Sequence, residues 1–394
     1  MKVLLIAPPE RFLQPNGPAH FDWPLGLSYI GAALHRAGHT VRTLLPDTRS
    51  CQTDDPWPLL RAVIEQEAPQ VVGITSTSAT FPAAMRLVSE TRTALGEEVL
   101  VMLGGAHVTF RPADGARQPG VDAVIVGEGE DAVVTLVDGW AAQGRGFEVT
   151  SVPGVAAWRG DALIRGPRRE TRSDLDALPW PHRDGLVWQQ DVHPALYQGL
   201  ITLRGCPYSC IYCAIPSADD RRTRYRSPAD IVAEARYLRD TRGIRYLQFY
   251  DSVFTLHRRR TLELVEGLAE LDMRFACQTR ADRVDEPLLD AMKTAGCEVI
   301  YFGVESGDEG SLKRLKKAMP LDTVRQAVRW VRDRGIRVNG FFMVGFPWET
   351  SELIERTVDF ALDLGLDRVS LFSTTPLPGT ELWDLAPDTP AYGL

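Results

Sequence analysis

The sequence predicts an α/β protein in which an N-terminal doubly wound, Rossmann-like domain is followed by a partial (β/α)6 barrel. Three observations predict it. Short continuous apolar runs alternate with segments of helical periodicity over residues 1–142. The same alternation resumes over residues 199–375. Between them lies a stretch dense in charge and proline, with Pro167, Pro179, Pro181 and Pro194. Apolar runs that do not alternate with polar residues are what a parallel sheet covered on both faces requires.

In the first half, strands are expected at 3–6, 40–45, 71–75, 99–103 and 123–126, and helices at 25–37, 58–67, 81–95 and 131–142. Gly38, Gly96, Gly104-Gly105 and Gly127 stop successive elements, because glycine lets the chain turn where other residues are strained. A turn at Arg159-Gly160-Asp161 joins 155–158 to 162–165 as a hairpin. It lies inside a segment, 151–198, read as a linker between domains, with Trp180 and Trp188 in interdomain packing. In the second half, strands are expected at 200–203, 246–250, 274–277, 298–302, 337–343 and 368–372. Helices at 228–241, 258–271, 286–295, 321–334 and 352–364 lie between them. Ser227 before Pro228 reads as a helix cap, and Asp322 and Ser351 sit near two others. Six βα units in series fit a full or partial barrel. The domains are therefore 1–150 and 199–380, with 381–394 as a tail.

Composition narrows the function. The 394 residues are 44 % hydrophobic and 24 % charged with a net charge of −8, ordinary for a soluble globular protein. No long basic run is present, so nucleic acid is not an expected partner. Arg221, Arg222, Arg224 and Arg226 form a short cluster that reads as a solvated loop. No apolar run approaches the roughly 20 residues needed to span a bilayer. The opening MKVLLIAPPE reads as a first buried strand, not a signal peptide, and the protein is expected in the cytoplasm. Six cysteines in such a chain do not make a disulfide framework. Cys51, Cys277 and Cys297 are scattered and read as buried small apolar residues.

The other three, Cys206, Cys210 and Cys213, share one loop after the first strand of the second unit. In a barrel that is the end at which chemistry is done. Thiolates suit zinc and iron–sulfur centres. Structural zinc wants four ligands, and no fourth stands in local sequence. A dithiol redox motif would leave Cys206 idle, and three structural thiols on one loop are improbable. Three thiolates on a cubane leave one iron open to bind a substrate's amino and carboxylate groups.

The spacing CxxxCxxC, with Tyr212 just before the last cysteine, resembles the radical S-adenosylmethionine superfamily. The resemblance implies a 4Fe–4S cluster on Cys206, Cys210 and Cys213. It also implies a S-adenosylmethionine site involving Tyr212, Arg280, Gly303, Glu305 and Gly345. Glu305, in Gly303-Val304-Glu305-Ser306-Gly307, resembles the family Glu that hydrogen-bonds this ligand; a capping or salt-bridged Glu is the plainer reading. Arg280 follows another strand and is suited either to the methionyl carboxylate or to a surface ion pair. Asp251 resembles a family strand-end acid. Gly340 to Thr350 and Thr375-Pro376-Leu377-Pro378-Gly379-Thr380 are also family-like.

In the first half, Pro24-Leu25-Gly26-Leu27, Gly104-Gly105-Ala106-His107-Val108-Thr109 and Val121 to Glu130 resemble the cobalamin-binding radical S-adenosylmethionine family, the class B methyltransferases. Asp174 to Pro181 adds to the match, which runs from Met1 to Thr380. The residues it implies at cobalamin are Ser76, Thr77, Gly104, Gly105, His107, Gly127, Glu128, Gly129 and Glu130. Ordinary turns of a flavodoxin-like domain are the alternative for each. One departure stands out. The well-known cobalamin fold carries a DxHxxG element whose His ligates cobalt, and here Arg49 stands at that position, in Asp47-Thr48-Arg49-Ser50-Cys51-Gln52.

The implied activity is methylation of an unactivated carbon, or a phosphinate phosphorus, of a small metabolite or natural-product intermediate. It would run through a 5′-deoxyadenosyl radical and methylcobalamin, with electrons from a donor such as flavodoxin or ferredoxin. Two rivals remain: a cobalamin radical enzyme that closes or rearranges rings without methyl transfer, and a non-catalytic cobalamin-binding regulatory protein. Many family members continue past the Pro-Gly-Thr segment. Here the substrate pocket is expected to be completed by the barrel and linker alone, or by a partner or carrier protein.

Overall fold

The computed structural model describes residues 1–9, 24–47, 55–218 and 221–385. Arg49, Cys51 and the tail beyond residue 385 therefore lie outside the described residues. The described residues fall into two compact units: one within 1–172 and 177–196, the other within 173–176 and 197–385.

The first unit is built on β1 (Lys2–Ile6), β2 (Thr40–Leu44), β3 (Val71–Thr75), β4 (Leu100–Gly104) and β5 (Ala123–Ile125), all parallel. The sheet order is β2-β1-β3-β4-β5, continued by β6 (Val155–Arg159) and β7 (Ala162–Arg165). Successive side chains of β1 point to opposite faces, and both faces are covered. Val3 and Leu5 pack with the helices Leu25–Arg36 and Glu130–Gln143. Leu4 and Ile6 pack with Trp57–Glu67 and Phe81–Leu95. The apolar runs are continuous because neither face meets water.

The stretch 151–198, expected as a linker, is built largely into this unit. The hairpin adds two antiparallel strands to β5, through Val124 opposite Ala156 and Ile125 opposite Val155. Further on, Thr43 on the outer strand donates to Gly185 O (3.0 Å) and accepts from Val187 N (3.0 Å). Both edges of the parallel sheet thus find backbone partners, which an edge otherwise lacks. Trp188, expected in interdomain packing, is buried in this unit's own core.

The second unit has a six-stranded parallel sheet in the order β15-β14-β13-β12-β11-β8. Its strands are β8 (Gly199–Leu200), β11 (Tyr246–Phe249), β12 (Arg274–Thr279), β13 (Cys297–Glu305), β14 (Arg337–Val344) and β15 (Arg368–Ser373), with helices between them. A separate pair joins β9 (Leu203–Arg204) to β10 (Arg224–Tyr225). The single strand expected at 200–203 is therefore interrupted. The buried Asp251 carboxylate accepts from Thr202 N (2.6 Å), Leu203 N (3.0 Å) and Thr202 Oγ1 (2.8 Å). Arg226 and Arg260 donate to the carbonyls of Ile201 (3.0 Å) and Thr202 (2.8 Å). Buried backbone groups that leave a ladder need such partners, and these release the chain into the cysteine loop. Burial pushes the Asp251 carboxyl up, while the Thr202, Leu203 and Arg260 contacts pull it back.

Ser227 caps its helix by accepting from Asp230 N (3.2 Å). Asp322 and Ser351 do not cap: those helices follow Pro320 and Thr350, whose side chains make no capping bond. Asp285 and Asp308 cap instead, accepting from Leu288 N (2.9 Å) and Ser311 N (2.7 Å). Among the described residues, no helix is long and apolar enough to cross a membrane.

Candidate active site

Cys206, Cys210 and Cys213 are free thiols, the first buried and the others half-buried. Gly205, with φ +86°, turns the chain from β9 into their loop. Ile211 anchors it. Its side chain packs against Leu315, Phe346 and Leu382, its amide donates to Leu315 O (3.1 Å) and its carbonyl accepts from Leu382 N (2.9 Å). The loop borders a cleft of about 460 Å³ lined by Cys210, Cys213, Ser217, Arg221 and Glu381 among others. Burial pushes the Cys206 thiol up, and Cys213 up to about 11, while Lys317 pulls both the other way and Arg280 acts likewise on Cys206. Buried thiols of this kind give thiolates only to a cationic partner. Among the described residues, no three His, Cys, Asp or Glu side chains converge to hold one metal ion. Thiolates on a cubane bind separate irons and need no such convergence.

Glu305 ends β13 with φ +76°, the left-handed region that non-glycine residues rarely occupy. Its Oε1 accepts from the Tyr212 hydroxyl (2.9 Å) and from Lys317 Nζ (3.0 Å). Gly303 lies under this contact: a Cβ there would stand 2.7 Å from Glu305 Oε1 and 3.1 Å from Lys317 Nζ. Arg280, just past β12, forks onto Asp282 (2.9 and 2.8 Å) and donates to Lys317 O (3.0 Å). Its guanidinium lies 4.0 Å over the Tyr208 ring. Arg280 is buried, and among the described residues its Nη1 has no hydrogen-bond partner. The structure thus joins Tyr212, Gly303, Glu305 and Arg280 through Lys317. The Gly345 amide donates to Glu349 Oε2 (2.5 Å) in a turn with φ +90°, and the next residue, Phe346, packs against Ile211 of the thiol loop. On the β13 face that carries Glu305, Tyr301 stacks on Phe341 (5.4 Å) and Phe341 meets Phe372 (5.8 Å).

The first unit's candidate residues surround the ends of β3, β4 and β5. The buried Ser76 hydroxyl turns inward and donates to Gly104 O (3.1 Å). Thr77 Oγ1 contacts Thr80 Oγ1 (3.0 Å) at the start of a helix. His107 is buried against the Phe81 ring (4.1 Å), with Nδ1 3.1 Å from Ser78 Oγ and Nε2 3.5 Å from Asp114. Burial lowers its pKa, opposed in part by Asp114. Gly105 takes φ +99°, and a Cβ there would fall 2.4 Å from Ser76 O. Gly104, by contrast, has among the described residues only Ile125 within 4.0 Å of such an atom. The Gly127 amide donates to Thr109 Oγ1 (3.0 Å). Arg169 reaches over Gly127 and pairs with Glu128 (3.4 Å). Gly129 packs against Ile30 and Ile125, and Glu130 is buried in the first turn of its helix.

Lys317, Tyr208 and Asp282 were not anticipated from sequence. Lys317 ends the basic run Lys313-Arg314-Leu315-Lys316-Lys317, in which nothing local sets it apart from solvated neighbours.

Two family models match this architecture: the radical SAM superfamily over residues 200–361 and the B12 binding domain over residues 19–137. The chain belongs to the cobalamin-binding radical S-adenosylmethionine family. An uncharacterized methyltransferase of Pyrococcus horikoshii is 31 % identical over 98 % of this chain and 83 % of its own length. The cytidylyl-2-hydroxyethylphosphonate methyltransferase of Streptomyces wedmorensis is 27 % identical over 97 % of this chain and 80 % of its own. Among solved structures, the radical S-adenosylmethionine methyltransferase TsrM from Kitasatospora setae, with cobalamin and a 4Fe–4S cluster bound, aligns with a TM-score of 0.77 at 20 % identity. That alignment covers 97 % of this chain and 73 % of TsrM, and it shows a shared fold. Membership implies an iron–sulfur cluster, S-adenosylmethionine and cobalamin as cofactors, a small-molecule substrate and an external electron donor.

Proposed function

We propose that this chain methylates an unactivated carbon, or a phosphinate phosphorus, of a small metabolite or natural-product intermediate. The observation that carries the reading is a loop of three free thiols beside a carboxylate and a guanidinium that, among the described residues, each keep an unpaired polar atom. When bound, the cluster supplies the electron that cleaves S-adenosylmethionine, and cobalamin carries the methyl group to be transferred.

The donor set fits both groups. Cys206, Cys210 and Cys213 would hold the cluster; burial opposes the thiolate forms of Cys206 and Cys213, Lys317 favours both by charge, and Arg280 favours that of Cys206. Arg280 would bind the ligand's carboxylate, Glu305 would accept from its polar hydrogens, and the Tyr212 hydroxyl would keep Glu305 aimed. Gly104 and Gly105 would admit a corrin edge by backbone, since Ser76 and His107 are engaged within the fold. A reduced flavodoxin or ferredoxin would deliver the electrons.

The test is anaerobic incubation of the protein, loaded with iron, sulfide and cobalamin, with S-adenosylmethionine and a reductant. Both 5′-deoxyadenosine and S-adenosylhomocysteine are expected. Absence of both overturns the reading, and deoxyadenosine alone replaces methyl transfer with ring closure or rearrangement. Protein that takes up cobalamin but no iron is a binding protein.

A further inference from the structure

The S-adenosylmethionine site read above leaves two polar atoms open, and one residue outside every motif connects the groups that carry them. Glu305 uses Oε1 for both Tyr212 and Lys317, and among the described residues its Oε2 has no partner. Arg280 uses Nε and Nη2 for Asp282 and Nη2 for Lys317 O, leaving the buried Nη1 without one. Lys317 therefore holds the acceptor through its ammonium and the donor through its carbonyl.

The chain goes to some length to put Lys317 there. It is buried, 6 % exposed, although it closes a basic run. Lys316 and Ala318, on either side, both adopt left-handed backbone, at φ +54° and +45°, as Glu305 does at +76°. Three such non-glycine residues around one contact store strain that the surroundings must hold. Gly303 leaves the space in which the Lys317 and Glu305 side chains meet.

We propose that Lys317 is a positioning residue of the S-adenosylmethionine site. Its ammonium fixes one Glu305 oxygen so that the other accepts a hydrogen bond from the ligand, and its carbonyl orients Arg280 for the ligand's carboxylate. The proposal rests on the reading of this site given above.

The experiment is calorimetric titration of S-adenosylmethionine, under anaerobic conditions, into cluster-loaded wild-type, Lys317→Met, Lys317→Arg, Glu305→Gln and Lys317→Met/Glu305→Gln proteins. Lys317→Met is expected to weaken binding on the order of ten- to a hundredfold, the range for a hydrogen bond to a charged group. Lys317→Arg should stay within about threefold of wild type, because a cation still reaches Glu305. The double variant should bind no worse than Glu305→Gln alone, since Lys317 acts through Glu305. Wild-type affinity in Lys317→Met, or losses that add in the double variant, overturn the proposal. Wild-type protein that does not bind S-adenosylmethionine overturns the reading of the site itself, and the proposal with it. If Lys317→Met does not fold, Lys317→Gln is read in its place by the same criteria.

Discussion

The strand ends of the two units are built on opposite plans. At the ends of β3 and β4, polar side chains turn mostly to each other or to the backbone: Ser76 to Gly104, Thr77 to Thr80, and His107 through Nδ1 to Ser78, while its buried Nε2, 3.5 Å from Asp114, makes no hydrogen bond among the described residues. What this rim offers is backbone bared by glycine. At the ends of β12 and β13, a carboxylate and a guanidinium each keep, among the described residues, one polar atom open while the rest of each group is pinned. The first arrangement suits a large flat molecule gripped by shape, the second a small charged one gripped by directed hydrogen bonds. They should fail differently when altered.

Gly105→Ala should have the largest effect on stability. The new Cβ would fall 2.4 and 2.6 Å from the backbone O and N of Ser76, at φ +99°. Backbone cannot step aside, so a loss of about 3 kcal/mol is expected in denaturant unfolding of the first unit. An unchanged midpoint would break the comparison at once.

Gly303→Ala sharpens it from the other side. Here the added atom meets the far ends of two flexible side chains, Glu305 and Lys317. They can yield, so stability should change by less than about 1 kcal/mol. S-adenosylmethionine affinity should drop roughly tenfold as the carboxylate is pushed off its mark. Thermal unfolding and ligand titration on the same preparation separate the two effects, and a large fall in melting temperature would show both sites to be built alike.

The smallest effect expected is on pH dependence. Burial holds His107 below its ordinary value of 6.5, with Asp114 opposing and Arg111 adding to the shift. The folded state thus keeps this ring neutral. As pH falls below about 6.5, the unfolded chain takes up a proton that the folded one refuses, and stability declines. The cost is absent above that pH and grows toward the lowered folded value. His107→Gln should flatten this slope in unfolding free energies compared at about pH 8 and pH 5.5. Identical slopes in both proteins would remove His107 from the account.

Much of this protein could be read along the chain. The strands Val71–Thr75 and the helix Phe81–Leu95 lie where periodicity puts them, and most other elements end within a residue or two. Burial on both faces writes itself into local apolar runs, so no distant information is needed. The three cysteines on one loop are equally local, because their spacing is covalent. The short helices Ala106–Phe110 and Pro112–Ala116 were missed, since neither is long enough to show a period.

Sequence by itself determined the α/β alternation, the order of the two units, the thiol loop and the family. Tertiary structure decided what depends on partners far apart in the chain. Asp251 interrupts the strand at Thr202 from 49 residues away. The hairpin expected in a linker pairs with β5. Ser76 turns its hydroxyl to Gly104 across 28 residues. Lys317 reaches Tyr212 across 105 residues and Glu305 across 12. Periodicity reports only which face of an element is apolar. Which polar group meets which is settled when desolvation forces each buried donor to find an acceptor, and that choice exists only in the folded chain.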